Sequence, residues 1–246
     1  MKRRDVLLAS LGILAIWQVA AMVVNRPILP TPIIVLDVFF KELGGELPIH
    51  FAASLWRVVA GMLLSVVTAV PAGLAIGGSK RLNRFLSPVI YLLYPIPKVV
   101  FVPIVLLFLG IGDLAKIAVI FIILFFQIVV LVRDQAAGLP SQLLQSLRSL
   151  GAGRRALFRF VYLPASLPAI LTALRQSVGV AVAVLYIAEA FATQKGLGYY
   201  IYYSGSNLMN YPAMYAGVLA MSLLGLGLYF TVDWMERKLC PWKYMG

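Results

Sequence analysis

The sequence predicts an all-α, polytopic membrane protein, and three observations support that prediction. Of 246 residues, 62% are hydrophobic and 12% are charged, whereas soluble domains are about a quarter charged. Apolar runs of about 20 residues, the length at which a helix crosses a bilayer, recur along the whole chain. Lys and Arg concentrate in some of the segments between these runs. A water-soluble domain built around one core does not fit this composition.

Six membrane-spanning helices are predicted within a single domain that covers residues 1–246. Turn residues and charges mark the joining segments, such as "NRPILPTP", "GGSKRLNR" and "GIGD". The first apolar run reaches about 19 residues and lacks a small-x-small cleavage site, so we expect a retained helix rather than a signal peptide. The predicted spans are 6–24, 51–77, 86–110, 115–133, 165–190 and 213–235.

The distribution of basic residues predicts that both termini lie in the cytoplasm. Cytoplasmic segments of membrane proteins accumulate Lys and Arg. With the N-terminus inside, few basic residues fall elsewhere: Arg26, Lys41, Lys116 and Lys195 outside, and Arg57, Lys98 and Arg175 within spans. The formal charge of +12 is therefore attributed to cytoplasmic loops and not to nucleic-acid binding. The longest of these loops covers 134–164, between the fourth and fifth spans.

This loop is predicted to contain two short helices that meet at a glycine bend. Residues 141–150 are good helix formers, and their leucines form one stripe at helical spacing: Leu143, Leu144, Leu147 and Leu150. Gly151 and Gly153 interrupt the pattern, and "RRALFRF" then resumes it before Pro164. Periodicity alone leaves two interpretations open. The loop is either an amphipathic helix on anionic lipid headgroups or a docking site for a cytoplasmic protein.

The spacing of glycine, valine, leucine and proline within the loop resembles that of a known family. Gly151 is followed by nine residues, Val161, one residue and then Leu163-Pro164. This pattern resembles the permease subunits of bacterial ATP-binding-cassette (ABC) importers of type I. Longer stretches are similar to the branch that carries nitrate, sulfonates, taurine and bicarbonate: "SLWRVVAGMLLSVVTAVPAGLAIG", "SPVIYLLYPIPKVVFVPIVLLFLGIG", "LPASLPAILTALRQSVGVAVAVLYIAEAF" and "GLGYYI".

The resemblance implies a role for the loop, which in this family is a coupling helix that inserts into a cleft on the ATPase. The corresponding residues are Gln145, Ser146, Leu147, Leu150, Gly151, Ala152, Arg154, Arg155, Leu163 and Pro164. One departure concerns the family's Glu-Ala-Ala, which is replaced by Gln145-Ser146-Leu147. These three positions therefore supply no carboxylate for a contact with the ATPase.

The resemblance also implies partners and a substrate class. A type I importer contains two permease chains, two ATPase subunits that hold ATP and Mg, and an extracytoplasmic binding protein. We therefore expect a homodimer in the bacterial inner membrane that passes a small solute delivered by the binding protein. A small oxyanion such as nitrate, taurine, another sulfonate or bicarbonate is the expected solute. A thiamine-precursor pyrimidine or riboflavin is the alternative, because the same branch carries these.

Polar residues within the spans are candidates for the translocation path, because they are costly in a bilayer. Lys98 lies among Pro95, Pro97 and Pro103; it either faces a broken helix at mid-depth or snorkels to the cytoplasmic side. One face of the fifth span combines polar and small residues: Arg175, Gly179, Val182, Tyr186 and Glu189. Arg175 and Glu189 are alternatively interfacial anchors. Gln127 lines the path or hydrogen-bonds to a neighbouring helix.

Enzyme chemistry is not expected from this chain. It has no GxxxxGKS phosphate loop, so any ATP use requires a separate subunit. Cys240 is the only cysteine and His50 the only histidine, so neither a thiolate metal site nor an HExxH pair is present. We expect no metal and no cofactor. An ion-coupled secondary transporter is the less favoured alternative, with Glu189 as its one candidate coupling acid.

Overall fold

The computed structural model describes residues 3–191 and 193–244, and within them every regular element is helical. The all-α prediction is confirmed. The helices are α1 (Arg3–Val24), α2 (Pro32–Glu42), α3 (Leu47–Gly77), α4 (Lys80–Leu93), α5 (Val102–Leu109), α6 (Asp113–Ala137), α7 (Ser141–Ser149), α8 (Arg154–Leu157), α9 (Leu163–Ala190), α10 (Leu197–Tyr202) and α11 (Tyr211–Leu239).

Four of the described helices are long and apolar enough to cross a membrane: α3, α6, α11 and the stretch Arg155–Ala190 that contains α9. The number is five if α4 and the segment Lys98–Leu109 count as one bent span. α1 carries a shorter apolar stretch, Leu8–Val24. α2 and α10 are short helices outside the six predicted spans.

The predicted span 86–110 is not one straight helix. α4 ends at Leu93, a 3-10 turn covers Lys98–Phe101 and α5 follows, with a bend of 78° across the break. Pro95 and Pro97 explain the break, because proline supplies no backbone N–H and disfavours helical angles in the residue before it. Both alternatives for Lys98 include this break, and the choice between them stays a prediction.

The chain divides into two compact units. The first comprises Met1–Leu55 and Glu189–Leu224, and the second comprises Trp56–Ala188 and Gly225–Gly246. In the first unit, Trp17 of α1 donates from Nε1 to the carbonyl of Pro30 at 3.1 Å and its ring lies 5.8 Å from that of Tyr215. These contacts fix the turn after α1 against α11.

In the second unit, α3 and α6 approach closely along glycines of α3. A Cβ on Gly61 would lie 2.7 Å from Ile120, and one on Gly73 would lie 2.8 Å from Val132. Small residues at such positions let helix backbones meet, which is how membrane helices associate without a hydrophobic driving force. Arg57 of α3 adds an ion pair of 2.7 Å with Asp113, in the first turn of α6.

Candidate functional site

The glycine bend of the 134–164 loop is a helix-terminating motif. Gly151 has a φ of +84°, and its N–H donates to the carbonyl of Arg148 at 2.9 Å. The N–H of Ala152 donates to the carbonyl of Leu147 at 3.0 Å. This pair of bonds, with a left-handed glycine between them, is the Schellman motif that ends many helices. The backbone at the end of α7 therefore favours glycine at position 151.

Space around the bend is open. No heavy atom lies within 4 Å of where a Cβ on Gly151 would stand. Leu144 and Leu147 are half-buried, but Leu150 is 83% exposed. The predicted leucine stripe thus leaves an apolar tip uncovered by the rest of the described chain. The side chains of Leu143 and Arg154 lie outside the described part.

The second half of the loop does not form a separate short helix. α8 passes into a π-helical turn, Phe158–Tyr162, and then directly into α9. In the wide turn, the N–H of Leu163 donates to the carbonyl of Phe158. Pro164 explains the widening, because it supplies no N–H and its ring would strike a carbonyl one regular turn earlier. The loop is consequently continuous with a long helix.

The other predicted loop residues are mostly at the surface. Gln145, Ser146 and Arg155 are exposed. Ala152 and Pro164 are half-buried, and Leu163 is at the edge of exposure. The surface of α7 therefore combines exposed polar groups with an exposed apolar tip at Leu150.

Lys98 is held by the helix break. Its Nζ donates to the carbonyls of Leu93 at 3.1 Å, Tyr94 at 3.0 Å and Ile96 at 3.3 Å. These include carbonyls freed at the C-terminal end of α4, where a cation is favourable. The ammonium group also lies 5.1 Å from the ring centroid of Phe126. The immediate role of Lys98 is to cap α4.

Arg175 is held by acids of α11. It donates to Asp233 at 2.6 Å and lies 3.2 Å from Glu236. Its guanidinium also lies 5.8 Å from the ring centroid of Tyr229. These contacts join α9 to α11, and the alternative of anchoring at the membrane interface stays a prediction.

An exposed stripe follows α9. Gly179, Ala183 and Tyr186 are exposed, and Gln176 lies one turn before Gly179 on the same face. Gln127 of α6 is half-buried, and no hydrogen bond of its side chain is found among the described residues. Gln176 was not among the predicted candidates, although its spacing of three from Gly179 places it on the same helix face.

Glu189 belongs to a buried hydrogen-bond cluster in the first unit, which we call the clasp. Its carboxylate accepts from Ser54 Oγ at 2.8 Å and from the N–H of Gly198 at 2.9 Å. Ser54 Oγ accepts from the N–H of Leu197 at 2.8 Å, and His50 Nδ1 accepts from the N–H of Gly196 at 3.0 Å. The clasp thereby holds the start of α10 against α3. His50 and Ser54 were not among the candidate residues predicted from the sequence.

The described residues contain no group of three or more His, Cys, Asp or Glu side chains that would hold a metal ion.

Comparisons with known proteins give a consistent result. Residues 61–240 match the family described as binding-protein-dependent transport system inner membrane component. The taurine transport system permease protein TauC of Escherichia coli (strain K12) is 31% identical, over 95% of this chain and 89% of that protein. The putative aliphatic sulfonates transport permease protein SsuC of Bacillus subtilis (strain 168) is 32% identical, over 96% and 87%.

Two further similarities extend this picture. The formylaminopyrimidine transport permease protein ThiX of Halalkalibacterium halodurans is 28% identical, over 95% of this chain and 93% of that protein. Among solved structures, an inward-facing conformation of the MetNI methionine ABC transporter matches with a TM-score of 0.66 and 21% identity. That match covers 76% of this chain and 93% of the other, and at this identity it supports the fold.

Proposed function

We propose a substrate, an assembly and a coupling surface for this chain, which belongs to the family of binding-protein-dependent transport system inner membrane components. It is a membrane-embedded permease subunit of an ABC importer, and members of this family are transport subunits and not enzymes.

The 134–164 loop is the coupling loop, which docks on a separate ATPase subunit that binds ATP and Mg. The observation that carries this proposal is the open, apolar tip: Leu150 is 83% exposed beside a glycine with free space around it. A loop that only rested on lipid headgroups would need its arginines more than its bend. A loop that enters a cleft needs a defined bend and room for the partner's atoms.

The substrate is a small oxyanion of the sulfonate kind, delivered by an extracytoplasmic binding protein. Support comes from TauC and SsuC, whose names specify taurine and aliphatic sulfonates and which align along almost the whole chain. A thiamine-precursor pyrimidine is the second candidate, because ThiX also aligns over most of its length.

The permease acts as a homodimer with two ATPase subunits. The exposed stripe of Gln176, Gly179 and Ala183 supports a second copy, because small and polar residues favour helix contacts over lipid. Gln127, Gly179 and Tyr186 are the residues we place along the path. Lys98, Arg175 and Glu189 are the weaker candidates, because each is held by the contacts described above.

The orientation places both termini and the coupling loop in the cytoplasm of a bacterial cell. The positive-inside pattern supports it, since most Lys and Arg then lie inside. Lys2 contributes to this pattern but lies outside the described residues.

Reconstitution of the permease with its ATPase and binding protein tests these proposals. We expect taurine-loaded binding protein to stimulate ATP hydrolysis and to drive taurine uptake, and we expect the complex mass to correspond to two permease chains and two ATPases. Uptake that continues without the ATPase would contradict the importer assembly. Stimulation by a formylaminopyrimidine but not by any sulfonate would contradict the substrate. A complex with one copy beside a different permease would contradict the homodimer.

A further inference from the structure

We propose that the C-terminal turn Pro241–Tyr244 is a latch that positions the coupling loop, with Lys243 and Trp242 as its positioning residues. This inference rests on the proposed coupling role of the loop. It assigns a transport function to the last turn of the described chain, which no sequence pattern indicates.

The electrostatic half of the latch centres on Glu236, near the end of α11. This carboxylate is completely buried, and its Oε1 accepts from Lys243 Nζ at 2.5 Å and from Thr172 Oγ1 at 3.0 Å. Lys243 Nζ also donates to Thr172 Oγ1 at 3.2 Å. A buried carboxylate is strongly destabilised when one of its partners is removed. Lys243 therefore anchors the turn to both α11 and α9.

The apolar half of the latch lies against the parts of the coupling loop on either side of the glycine bend. Trp242 lines an open surface groove of about 390 Å³ together with residues from both sides of the glycine bend: Leu147, Phe160, Val161, Pro164 and Ala165. Leu147 also accepts the hydrogen bond from Ala152 that forms the glycine bend. The indole of Trp242 thus lies next to α7. The C-terminal end of α7 determines the direction in which the glycine bend and Leu150 point.

The groove is open to solvent, since Trp242 is 52% exposed and Phe160 is 71% exposed. The indole therefore lies beside the loop without being enclosed by it, and Lys243 is the main anchor of the turn. The loop limb after the bend is continuous with α9 from Arg155 to Ala190. Since Thr172 on α9 contacts Lys243, the latch links the loop, α9 and α11 at one point.

Cys240 supplies a built-in reporter of the latch. It is the only cysteine of the sequence and it is completely buried at the start of the turn. Burial, with a further contribution from the charge of Glu236, raises the pKa of the Cys240 thiol. Both effects slow alkylation, because the thiolate is the reactive species. Opening of the latch should expose this thiol.

The experiment compares variants of the complete transporter in membranes, with its ATPase subunits and binding protein. Lys243→Met removes the anchor, Lys243→Arg keeps a cation, and Lys238→Met is the matched control. Lys238 lies on the same chain end, with its Nζ 4.9 Å from the ring centroid of Trp234 and outside the latch. N-ethylmaleimide alkylation of Cys240 and substrate-stimulated ATP hydrolysis are measured in each variant, and ATPase co-purification reports assembly.

We expect Lys243→Met to accelerate alkylation by about tenfold or more, the equilibrium effect of losing a charge-assisted hydrogen bond. Stimulated hydrolysis should fall while the ATPase still co-purifies, Lys243→Arg should restore both readouts and Lys238→Met should match the wild type. Unchanged alkylation in Lys243→Met would overturn the latch, and faster alkylation with intact stimulation would overturn its positioning role. If the binding protein does not stimulate ATP hydrolysis in the wild-type transporter, the proposed function is wrong. The alkylation rate of Cys240 still tests separately whether Lys243 holds the turn closed.

Discussion

Two glycines with left-handed backbones show how differently the clasp and the coupling loop use the same residue. Gly196 has a φ of +125° and Gly151 has a φ of +84°. A Cβ on Gly196 would lie 2.5 Å from Oε1 of Glu189, inside a closed hydrogen-bond cluster. A Cβ on Gly151 would meet nothing within 4 Å.

The difference fits our proposal that Gly196 has a structural role and that Gly151 shapes a docking surface. In the clasp, packing and backbone both demand glycine, and the surrounding polar groups are already satisfied by this chain. In the coupling loop only the backbone demands it, and the neighbouring Leu150 is exposed. Apolar surface that the chain leaves open beside a defined bend is what a docking site requires.

The largest effect should follow Gly196→Ala. The added methyl group meets the Glu189 carboxylate and also occupies a backbone conformation that favours glycine. We expect a loss of about 3 kcal/mol in stability, seen as a large fall in thermal unfolding temperature in detergent. Gly227→Ala on α11, where nothing lies within 4 Å, is the control. Equal stability of the two variants would show that the clasp is not closed.

Ser54→Ala should have the next largest effect. The change removes a donor to Glu189 and the acceptor for the N–H of Leu197. Leaving these buried groups without that partner should cost about 2 kcal/mol in unfolding free energy. Ser222→Ala, an exposed serine that bonds only to its own helix at Val218, should change stability little. A similar loss in both variants would contradict the clasp.

Gly151→Val should produce a smaller loss of stability but a complete loss of coupling. A left-handed conformation costs a β-branched residue about 1–2 kcal/mol, whereas Asn tolerates it. The backbone at position 151 should therefore leave the left-handed conformation in Gly151→Val, which changes the direction of the bend, and should keep it in Gly151→Asn. Substrate-stimulated ATP hydrolysis, measured beside ATPase co-purification, should be lost only in the valine variant. Full stimulation of ATP hydrolysis in Gly151→Val would contradict the proposal that Gly151, unlike Gly196, serves coupling.

Lys98→Met should have the smallest effect. It removes a cation that caps carbonyls at the end of α4, so we expect a loss of about 1 kcal/mol in unfolding free energy. Transport at saturating substrate should be almost unchanged. A strong fall in uptake with unaltered stability would instead assign Lys98 to an anion site.

The helices were predictable because their signals are local. Apolar runs predicted 51–77 and 213–235, and α3 and α11 cover Leu47–Gly77 and Tyr211–Leu239. Glycine spacing likewise placed the bend at Gly151. Prolines marked the break near Lys98, but its angle and the capping bonds depend on three-dimensional placement. No sequence pattern links Ser54 to Glu189, which are 135 positions apart, or Thr172 to Glu236.

Photo-crosslinking from position 150 tests the central claim most directly. A photoreactive amino acid replaces Leu150 in the assembled transporter, and another replaces Leu107 of α5, which is 84% exposed against 83% for Leu150. Our account predicts that position 150 forms an adduct with the ATPase subunit, whereas position 107 labels lipid. Lipid adducts from both positions, with none on the ATPase, would show that the 134–164 loop rests on the membrane and would contradict the account.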